Sequence, residues 1–351
     1  MTKPFLPSDL AHRSPLALWR RSVTAQAISI VTSENPGVVI RRIYGGAEAS
    51  YIERAAVAPT TSAQVSGLLP TIVEAWLGDL RPTSAAARLI EAGTRIEKAA
   101  GTMNALPHLG SDFPEPTFVG EGQPIPHRMG AFAASILGPS NKLAMLTSIT
   151  SEVATYTPAA AEALIGGLMN DAASRQLDKA VFSTAAATEL RPAGILNGIT
   201  ARTAAAGGGV TALVTDVRNL VGAINTAGAG AEILVFANPV QVAVLTILAP
   251  GGIGYPVLPA ASLPIGTLVA IDPRAFASSF GETPEVTASR EGLIHYEDAS
   301  PAQIGTADDP NIVAAPARSM FQSDLIGLRM ILRCDWVLRS AAVAFVENVT
   351  W

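Results

Sequence analysis

The sequence has little charge, few aromatic side chains and a single cysteine. Charged residues make up 15% of its 351 residues and aromatic residues 5%, whereas 49% are apolar. A typical soluble domain is about 25% charged, and an apolar content this high excludes an intrinsically disordered chain. The lone Cys334 excludes an intrachain disulfide and a zinc site built from cysteines. We expect it to be a small buried hydrophobe.

Lysine and net positive charge are also scarce. The net charge is −5, and the only lysines among 24 basic residues are Lys3, Lys98, Lys142 and Lys179. Nucleic-acid-binding domains usually carry a basic footprint, which is missing at the level of the whole chain. Arginine suits bidentate pairing at interfaces, whereas lysine suits solvated surface. The composition therefore favours a protein that buries much of its exterior against other chains.

Long apolar runs and recognisable catalytic motifs are absent. No run of 18 apolar residues occurs, so no membrane-spanning segment is predicted. The sequence has no G-x-S-x-G elbow, and Gly207, Gly208 and Gly209 lack the Lys-Ser/Thr of a phosphate-binding loop. The four histidines are scattered without metal-ligand spacing. We predict no enzymatic activity, no cofactor and no metal.

The strongest secondary-structure signal is a helix over 158–181. Pro158 suits its first turn with Thr157 as the cap, and apolar residues recur along it at i, i+3 and i+4. Residues 211–300 alternate between helical and strand patterns, which indicates an α+β unit. The elements predicted there are helices at 213–224 and 239–248 and strands at 233–237, 267–271, 286–289 and 294–296.

Short strands are predicted near both ends of the chain. The β-branched run from Val38 to Ile43 predicts a brief strand in an otherwise irregular N-terminal arm, for which a flexible tail is the alternative. Near the other end, 325–334 and 336–345 are two strand candidates separated by Asp335. The arm has too few apolar positions to close a core of its own.

Glycine and proline punctuate residues 93–147 so densely that long helices are excluded. Two extended segments joined by a long excursion fit this stretch. Such an excursion contributes little to a core and is well suited to reaching a neighbouring molecule.

One segment of this excursion carries a family resemblance. The run from Phe118 to Pro126, with Glu121, Gly122 and Pro124 inside it, resembles the W-x-x-E-G-x-x-x-P signature of tailed-bacteriophage major capsid proteins of the Hong Kong 97 type. Phe118 stands where that signature usually has tryptophan.

Further pieces of the same family pattern follow in order. Lys142 begins a K-L-A sequence that resembles the one after the family's extended loop, and the 158–181 helix resembles its spine helix, with Asp178 where the family often carries an acid. Pro192 and Gly194 match its P-x-G-I/L-L turn. Near the end, the family's spaced R-x-x-x-R-x-D is matched by Arg329, Arg333 and Asp335.

The resemblance implies an α+β fold of the Hong Kong 97 capsid type, with an N-terminal arm, an extended β-hairpin loop, a peripheral domain with a long spine helix, and an axial domain. The implied boundaries are 1–60 for the arm, 61–94 for a helical segment joining arm to body, 95–142 for the extended loop, 143–200 and 310–351 for the peripheral domain, and 201–309 for the axial domain.

The resemblance also implies a function. It indicates a major head protein that self-assembles through pentamers and hexamers into an icosahedral shell around double-stranded DNA, which it would contact without sequence specificity. The matched motif residues named above would serve assembly. Portal, scaffolding or protease proteins would be partners during assembly, with no membrane partner. The location would be the virion capsid, reached from the host bacterial cytoplasm.

Covalent cross-linking is a feature of some family members, in which a loop lysine joins an asparagine of the next subunit. Lys98 and Lys142 are the lysines of this region. Lys142 lies in the returning strand rather than at the loop tip, which argues against a cross-link here.

Two alternatives stay open at this point. One keeps the fold and makes the chain an encapsulin-like compartment or the head of a gene-transfer particle. The other is a soluble α+β enzyme with an unrecognised site, which predicts a small oligomer and a pocket with perturbed acids or histidines.

Overall fold

In the computed structural model, the described residues are 21, 24, 25, 28, 29, 34–45, 80, 84–96, 103–109, 118–121, 132–152, 158–230, 232–280, 285–295 and 317–351. The described helices are α1 (Pro36–Tyr44), α2 (Ala85–Ala92), α3 (Pro158–Val181), α4 (Gly209–Thr226) and α5 (Pro239–Leu248). The described strands are β1 (Thr94–Arg95), β2 (Asn104–Leu109), β3 (Phe132–Leu137), β4 (Asn141–Thr150), β5 (Leu234–Ala237), β6 (Val257–Pro259), β7 (Leu268–Ile271), β8 (Phe276–Phe280), β9 (Glu285–Ser289), β10 (Leu293–His295), β11 (Ala317–Ser319), β12 (Leu325–Leu338) and β13 (Val343–Val346).

Most elements with a clear periodicity are confirmed, and the fold is α+β as predicted. The long helix α3 covers the predicted 158–181, and α5 covers the predicted 239–248. Helix α4 extends the predicted 213–224 at both ends. Four short strands, β5, β7, β9 and β10, lie where alternating or apolar runs predicted them. None of the described helices is long and apolar enough to cross a membrane.

The strand predicted at Val38–Ile43 is wrong, because this segment is helix α1. Asn35 caps it by accepting a hydrogen bond from the Gly37 amide at 2.9 Å, and Pro36 occupies the first turn. Val39 and Ile40 are buried on one side of the helix. Val39 and Ile40, with Ile43 partly buried beside them, therefore form the apolar face of a capped amphipathic helix, whereas Val38 is exposed.

The two strands predicted around Asp335 are also wrong in their boundaries. A single strand, β12, runs through that position, and a separate short strand, β13, follows it. Asp335 stays in the ladder opposite Ser279, and its Oδ1 accepts a hydrogen bond from the Trp336 amide at 3.0 Å. Because its carboxylate has this local partner, the buried acid does not end the strand.

The first of two compact units consists of Met1–Asp79, Leu143–Asn170 and Glu282–Leu332. In it, β12 pairs antiparallel with β9 and also neighbours β4, while β10 pairs with β11. A small apolar cluster joins α1 to the helical residues before it, through Ala25, Ile28, Val39 and Ile40.

The second unit consists of Leu80–Lys142, Asp171–Gly281 and Arg333–Trp351. Its larger sheet has the order β13-β7-β5-β6, in which β5 pairs parallel with β6 and the other pairs are antiparallel. Within the same unit, β8 lies between β1 and the last residues of β12. The pair β2 and β3 forms a two-stranded antiparallel ribbon.

The core of the second unit lies between α4 and the larger sheet. Leu213, Leu220 and Ile224 of α4 are buried in one apolar cluster with Val235 and Leu268 of the sheet. Full burial of such side chains stabilises the fold by roughly 1.5–3 kcal/mol each.

The C-terminal residue Trp351 belongs to the same core and is fixed by a buried acid. Asp216 of α4 accepts a hydrogen bond from Trp351 Nε1 at 2.8 Å with one carboxylate oxygen. Its other oxygen accepts one from the Ala205 amide at 2.8 Å. One carboxylate thus connects α4 to the segment just before it and to Trp351, which is 135 residues away in sequence.

Candidate assembly surface

The ribbon β2–β3 separates its side chains into two faces. The register places Ala105 opposite Ile136 and Pro107 opposite Ala134. These four side chains share one face because alternate residues of a strand point the same way. All four are exposed, and Ile136 has 60% of its surface accessible. We call these four residues the ribbon face. It is an apolar surface without a partner among the described residues.

The opposite face of the ribbon is covered. Leu137 is completely buried, and Leu106 and Ser135 are half-buried. The Ser135 hydroxyl donates a hydrogen bond to the Leu338 carbonyl at 3.1 Å, and Arg339 Nη2 donates one to the Pro107 carbonyl at 3.3 Å. The end of the ribbon formed by 104–107 and 134–137, which we call its base, is therefore attached by one face and presents the other to solvent.

Of the run from Phe118 to Pro126 that resembles the capsid signature, only residues 118–121 are among those that the structure describes. Phe118 and Glu121 are both fully on the surface, in a short stretch that contains a turn. Gly122, Pro124 and Pro126 lie outside the described residues, as does Lys98. Lys142 is exposed on β4. Such exposure is unusual for a large aromatic side chain like Phe118.

The three residues that match the R-x-x-x-R-x-D pattern differ in their exposure to solvent. Arg329 is exposed, and its Nε donates a hydrogen bond to Thr287 Oγ1 at 3.1 Å. Arg333 is half-buried, and Asp335 is buried. The three residues lie on β12 without forming a single side-chain cluster among the contacts described.

Gly194 has a direct steric role. A Cβ atom at this position would overlap the carbonyl oxygen and the hydroxyl of Ser183. The turn is closed by hydrogen bonds from the Ile195 amide to the Val181 carbonyl at 2.8 Å and from the Leu196 amide to the Ser183 carbonyl at 3.2 Å. Glycine therefore allows the chain to fold back closely on the end of α3.

The same turn connects to β12. Trp336 Nε1 donates a hydrogen bond to the Ala193 carbonyl at 2.9 Å. Pro192 is half-buried beside this acceptor. Two motif pieces that are far apart in sequence, the turn after the spine helix and the closing strand, thus meet in the second unit.

Asp178 supports the N-terminus of another helix, α2, whose N-cap residue is Ser84. Its carboxylate accepts hydrogen bonds from Ser84 Oγ at 2.6 Å, from the Ala85 amide at 3.1 Å and from the Ala86 amide at 2.8 Å. Ser84 Oγ in turn accepts one from the Ala87 amide. Burial raises the pKa of Asp178 above its usual range, and the hydrogen bonds from Ser84, Ala86 and Ala85 oppose that rise. The acid predicted on the spine helix thus fixes the start of α2.

Cys334 is buried as predicted. Burial, together with the neighbouring charge of Asp335, raises the pKa of its thiol to about 12. The thiol is therefore protonated at neutral pH, which fits an inert core residue.

The first unit contains an ion pair that the sequence did not suggest. Arg290 Nη2 lies 2.7 Å from Asp324 Oδ1 and 2.9 Å from Ser151 Oγ. Hydrogen bonds from Ser151 and Arg290 lower the pKa of Asp324. Asp324 also has a positive φ of 46°, so this pair holds a left-handed turn in place. No spacing rule connects residues so distant in sequence.

Solved structures share this fold over most of the chain. A structure from Mycobacterium phage Adephagia has 15% identity, covers 84% of this chain and 100% of its own, and gives a TM-score of 0.56. One from Mycobacterium phage Cain has 15% identity, covers 86% and 98%, and gives 0.55. The capsid of a native GTA particle computed with C5 symmetry has 13% identity, covers 89% and 99%, and gives 0.51. No curated protein matches the sequence.

The family assignment rests on the sequence match rather than on fold similarity. Residues 80–347 match the model of the phage capsid family. This range includes the ribbon β2–β3, the long helix α3 and the last two strands, β12 and β13. It also disfavours the enzyme alternative, because the family is structural. The chain belongs to the phage capsid family and is a shell-forming major capsid protein.

Proposed function

We propose that this chain assembles through pentamers and hexamers into an icosahedral shell that encloses double-stranded DNA. The observation that carries this proposal is the ribbon face, an exposed apolar surface on a projecting two-stranded element of a shell-forming protein. A monomer gains nothing from leaving such a face in water, whereas a second copy that covers it gains the free energy of apolar burial.

The division of the chain follows the same proposal. Residues 1–60 form the arm and 61–94 the segment that joins it to the body. The extended loop is 95–142, the peripheral domain 143–200 and 310–351, and the axial domain 201–309. The arm and loop reach adjacent subunits, and the axial domains meet at the five-fold and six-fold axes. Phe118, Lys142 and Arg329, all exposed, are proposed to serve contacts between subunits.

Assembly by many moderate contacts explains why one strong interface is unnecessary. Head-to-tail contacts close into rings when their rotation fits, which yields pentamers and hexamers. Each further contact of a bound subunit then forms at high effective concentration. Arginine pairs add selectivity between surfaces more than affinity.

The proposed partners follow from a DNA-filled head. Portal, scaffolding or protease proteins act during assembly in the host bacterial cytoplasm, and the packaged DNA is contacted without sequence specificity. An acidic net charge is compatible with this, since packaged DNA carries its own counterions.

The test is to express the chain, purify assemblies by size-exclusion chromatography and image them by electron microscopy. Regular shells with pentameric and hexameric units are expected. Particles isolated from lysed host cells should contain nuclease-protected double-stranded DNA. Closed shells that hold protein cargo and no DNA would favour the encapsulin-like alternative, and a small monodisperse oligomer would contradict assembly.

Replacing Ile136 by aspartate is expected to abolish shell formation while the subunit stays folded. The side chain is exposed, so the folded chain tolerates the charge, but a neighbour that covers the ribbon face would bury it unpaired. Ile136→Thr, which keeps the β-branched shape and adds no charge, should retain most assembly. Sedimentation velocity gives the assembled fraction. Normal shells from Ile136→Asp would remove the ribbon face from the interface.

Replacing Glu121 by alanine is expected to impair assembly with little change in stability. Glu121 is exposed in a turn, so its removal leaves no buried group unsatisfied. Glu189→Ala, which removes an exposed acid from another turn, is the matched control and should assemble normally. Equal assembled fractions for both variants, measured by light scattering, would show that Glu121 has no special role.

A further inference from the structure

The ribbon β2–β3 is attached to the second unit through its base. It forms a two-stranded sheet of its own, without a backbone ladder to another described strand. Two hydrogen bonds join its base to Leu338, the last residue of β12, and to Arg339, which follows it. Ser135 donates to the Leu338 carbonyl, and Arg339 donates to the Pro107 carbonyl. We propose that Leu338 and Arg339 form a latch that sets the direction of the ribbon, with the Arg339 side chain as its releasable half.

The latch holds both strands of the ribbon at nearly one level. Ser135 pairs with Leu106, and the next residue along β2, Pro107, is the acceptor for Arg339. One bond to each strand resists rotation of the ribbon about its long axis as well as bending at its base. A single bond would resist only one of these motions.

The backbone of Leu338 and Arg339 is hydrogen-bonded to buried neighbouring segments. Leu338 pairs with Phe276 of β8, a strand whose residues are all buried. The Arg339 amide donates a short hydrogen bond of 2.7 Å to the Ala275 carbonyl. The backbone that carries the latch is therefore fixed, so movement is confined to the ribbon and the Arg339 side chain.

The two halves of the latch differ in strength. The Ser135 bond is partly buried at 3.1 Å, whereas the Arg339 bond is exposed and longer at 3.3 Å. Arg339 Nε is also buried without an acceptor among the described residues. A buried donor left unsatisfied disfavours the latched conformation, and rotation of the guanidinium into water would satisfy it. Arg339 is thus the half that releases first.

Release would change the direction in which the ribbon face is presented. A ribbon held by both bonds presents it in one direction, whereas a ribbon held through Ser135 and the buried Leu137 can pivot. This role in presenting the face to a second copy rests on the proposed function. The latch itself is a property of the single chain and can be measured without assembly.

The experiment measures ribbon orientation in the unassembled full-length chain, confirmed as such by size-exclusion chromatography. Spin labels are placed on Ala105→Cys in the ribbon and Glu189→Cys in an exposed turn of the same unit, in a Cys334→Ala background. Double electron–electron resonance gives the distance distribution between the labels. Arg339→Gln should broaden it on the order of twofold, because a hinge at the ribbon base spreads the label positions.

Two further variants make the outcome decisive. Ser135→Ala should also broaden the distribution, and it keeps Arg339 and its packing intact. Arg329→Gln removes an exposed arginine elsewhere on β12 and should leave the distribution unchanged. Distributions of wild-type width in both Arg339→Gln and Ser135→Ala would overturn the latch. That result would leave the assembly test on Ile136 unaffected, so the two proposals fail separately.

Discussion

Replacing Gly194 by alanine is expected to lower the free energy of unfolding by about 3 kcal/mol, at the upper end of typical overpacking costs. The added Cβ would overlap the Ser183 carbonyl oxygen and hydroxyl. The carbonyl belongs to backbone that already accepts the Leu196 amide, so it cannot move without breaking the turn. Relief of the overlap would also displace Ala193, the acceptor for the Trp336 indole.

Gly222 offers the matched control for this substitution. It is exposed within α4, and a Cβ there would have no atom within 4 Å other than the neighbouring backbone of its own helix. Gly222→Ala should stabilise the protein by up to about 1 kcal/mol through helix propensity. Urea unfolding of the unassembled chains, followed by circular dichroism, measures both. A loss below about 1 kcal/mol for Gly194→Ala would mean that the turn relaxes easily, contrary to the packing argued here.

Replacing Asp178 by alanine is expected to cost about 2–4 kcal/mol of unfolding free energy. The substitution leaves the Ser84 hydroxyl and the amides of Ala85 and Ala86 without their acceptor at a buried helix N-terminus. Thermal and urea unfolding of the two proteins give the difference.

Asp178→Asn separates the cap from the charge. The amide oxygen still accepts from one or two of the donors, so the loss should be about half that of alanine. The pH dependence supplies a second readout. Because the folded-state pKa of Asp178 is raised, its protonated form favours the folded state, and that contribution is lost as pH rises through the raised value. The stability advantage of wild type over Asp178→Asn should therefore shrink as pH rises above 3.8, the unperturbed value. An advantage that grows over the same range would contradict the burial assigned to this carboxylate.

Helices with a clear start signal and a regular apolar spacing could be predicted from the sequence. The helices α3 and α5 follow from proline in the first turn and helical spacing of apolar residues. Helix α1 was missed although Asn35 and Pro36 form a local helix-start signal, because the β-branched run has strand propensity. The burial of Val39 and Ile40 that favours the helix depends on tertiary packing. Strand β12 was divided at Asp335 because a buried acid inside a ladder is costly unless it has a partner. In the structure the amide of the next residue, Trp336, is such a partner.

The candidate site also contains features that the sequence indicates and features that depend on contacts between distant residues. Family motifs pointed to Gly194 and Asp178, but the physical reasons for both residues lie in contacts with Ser183 and with the start of α2. Alternation in the sequence marks only the β3 half of the ribbon face, because 134–136 alternates whereas Ala105, Leu106 and Pro107 are all apolar. The Arg339–Pro107 bond could not be predicted at all, since its partners are 232 residues apart and no spacing rule connects them.

The order of strands in the larger sheet has a consequence for synthesis on the ribosome. Strand β13 is translated after every other described strand, yet it pairs with β7 at the edge of that sheet. The last residues of β12 likewise complete the ladder beside β8. Neither ladder can close until β12 and β13 have been translated, and contacts between distant segments form slowly. A chain that stops before β13 therefore leaves one edge of β7 without its partner strand.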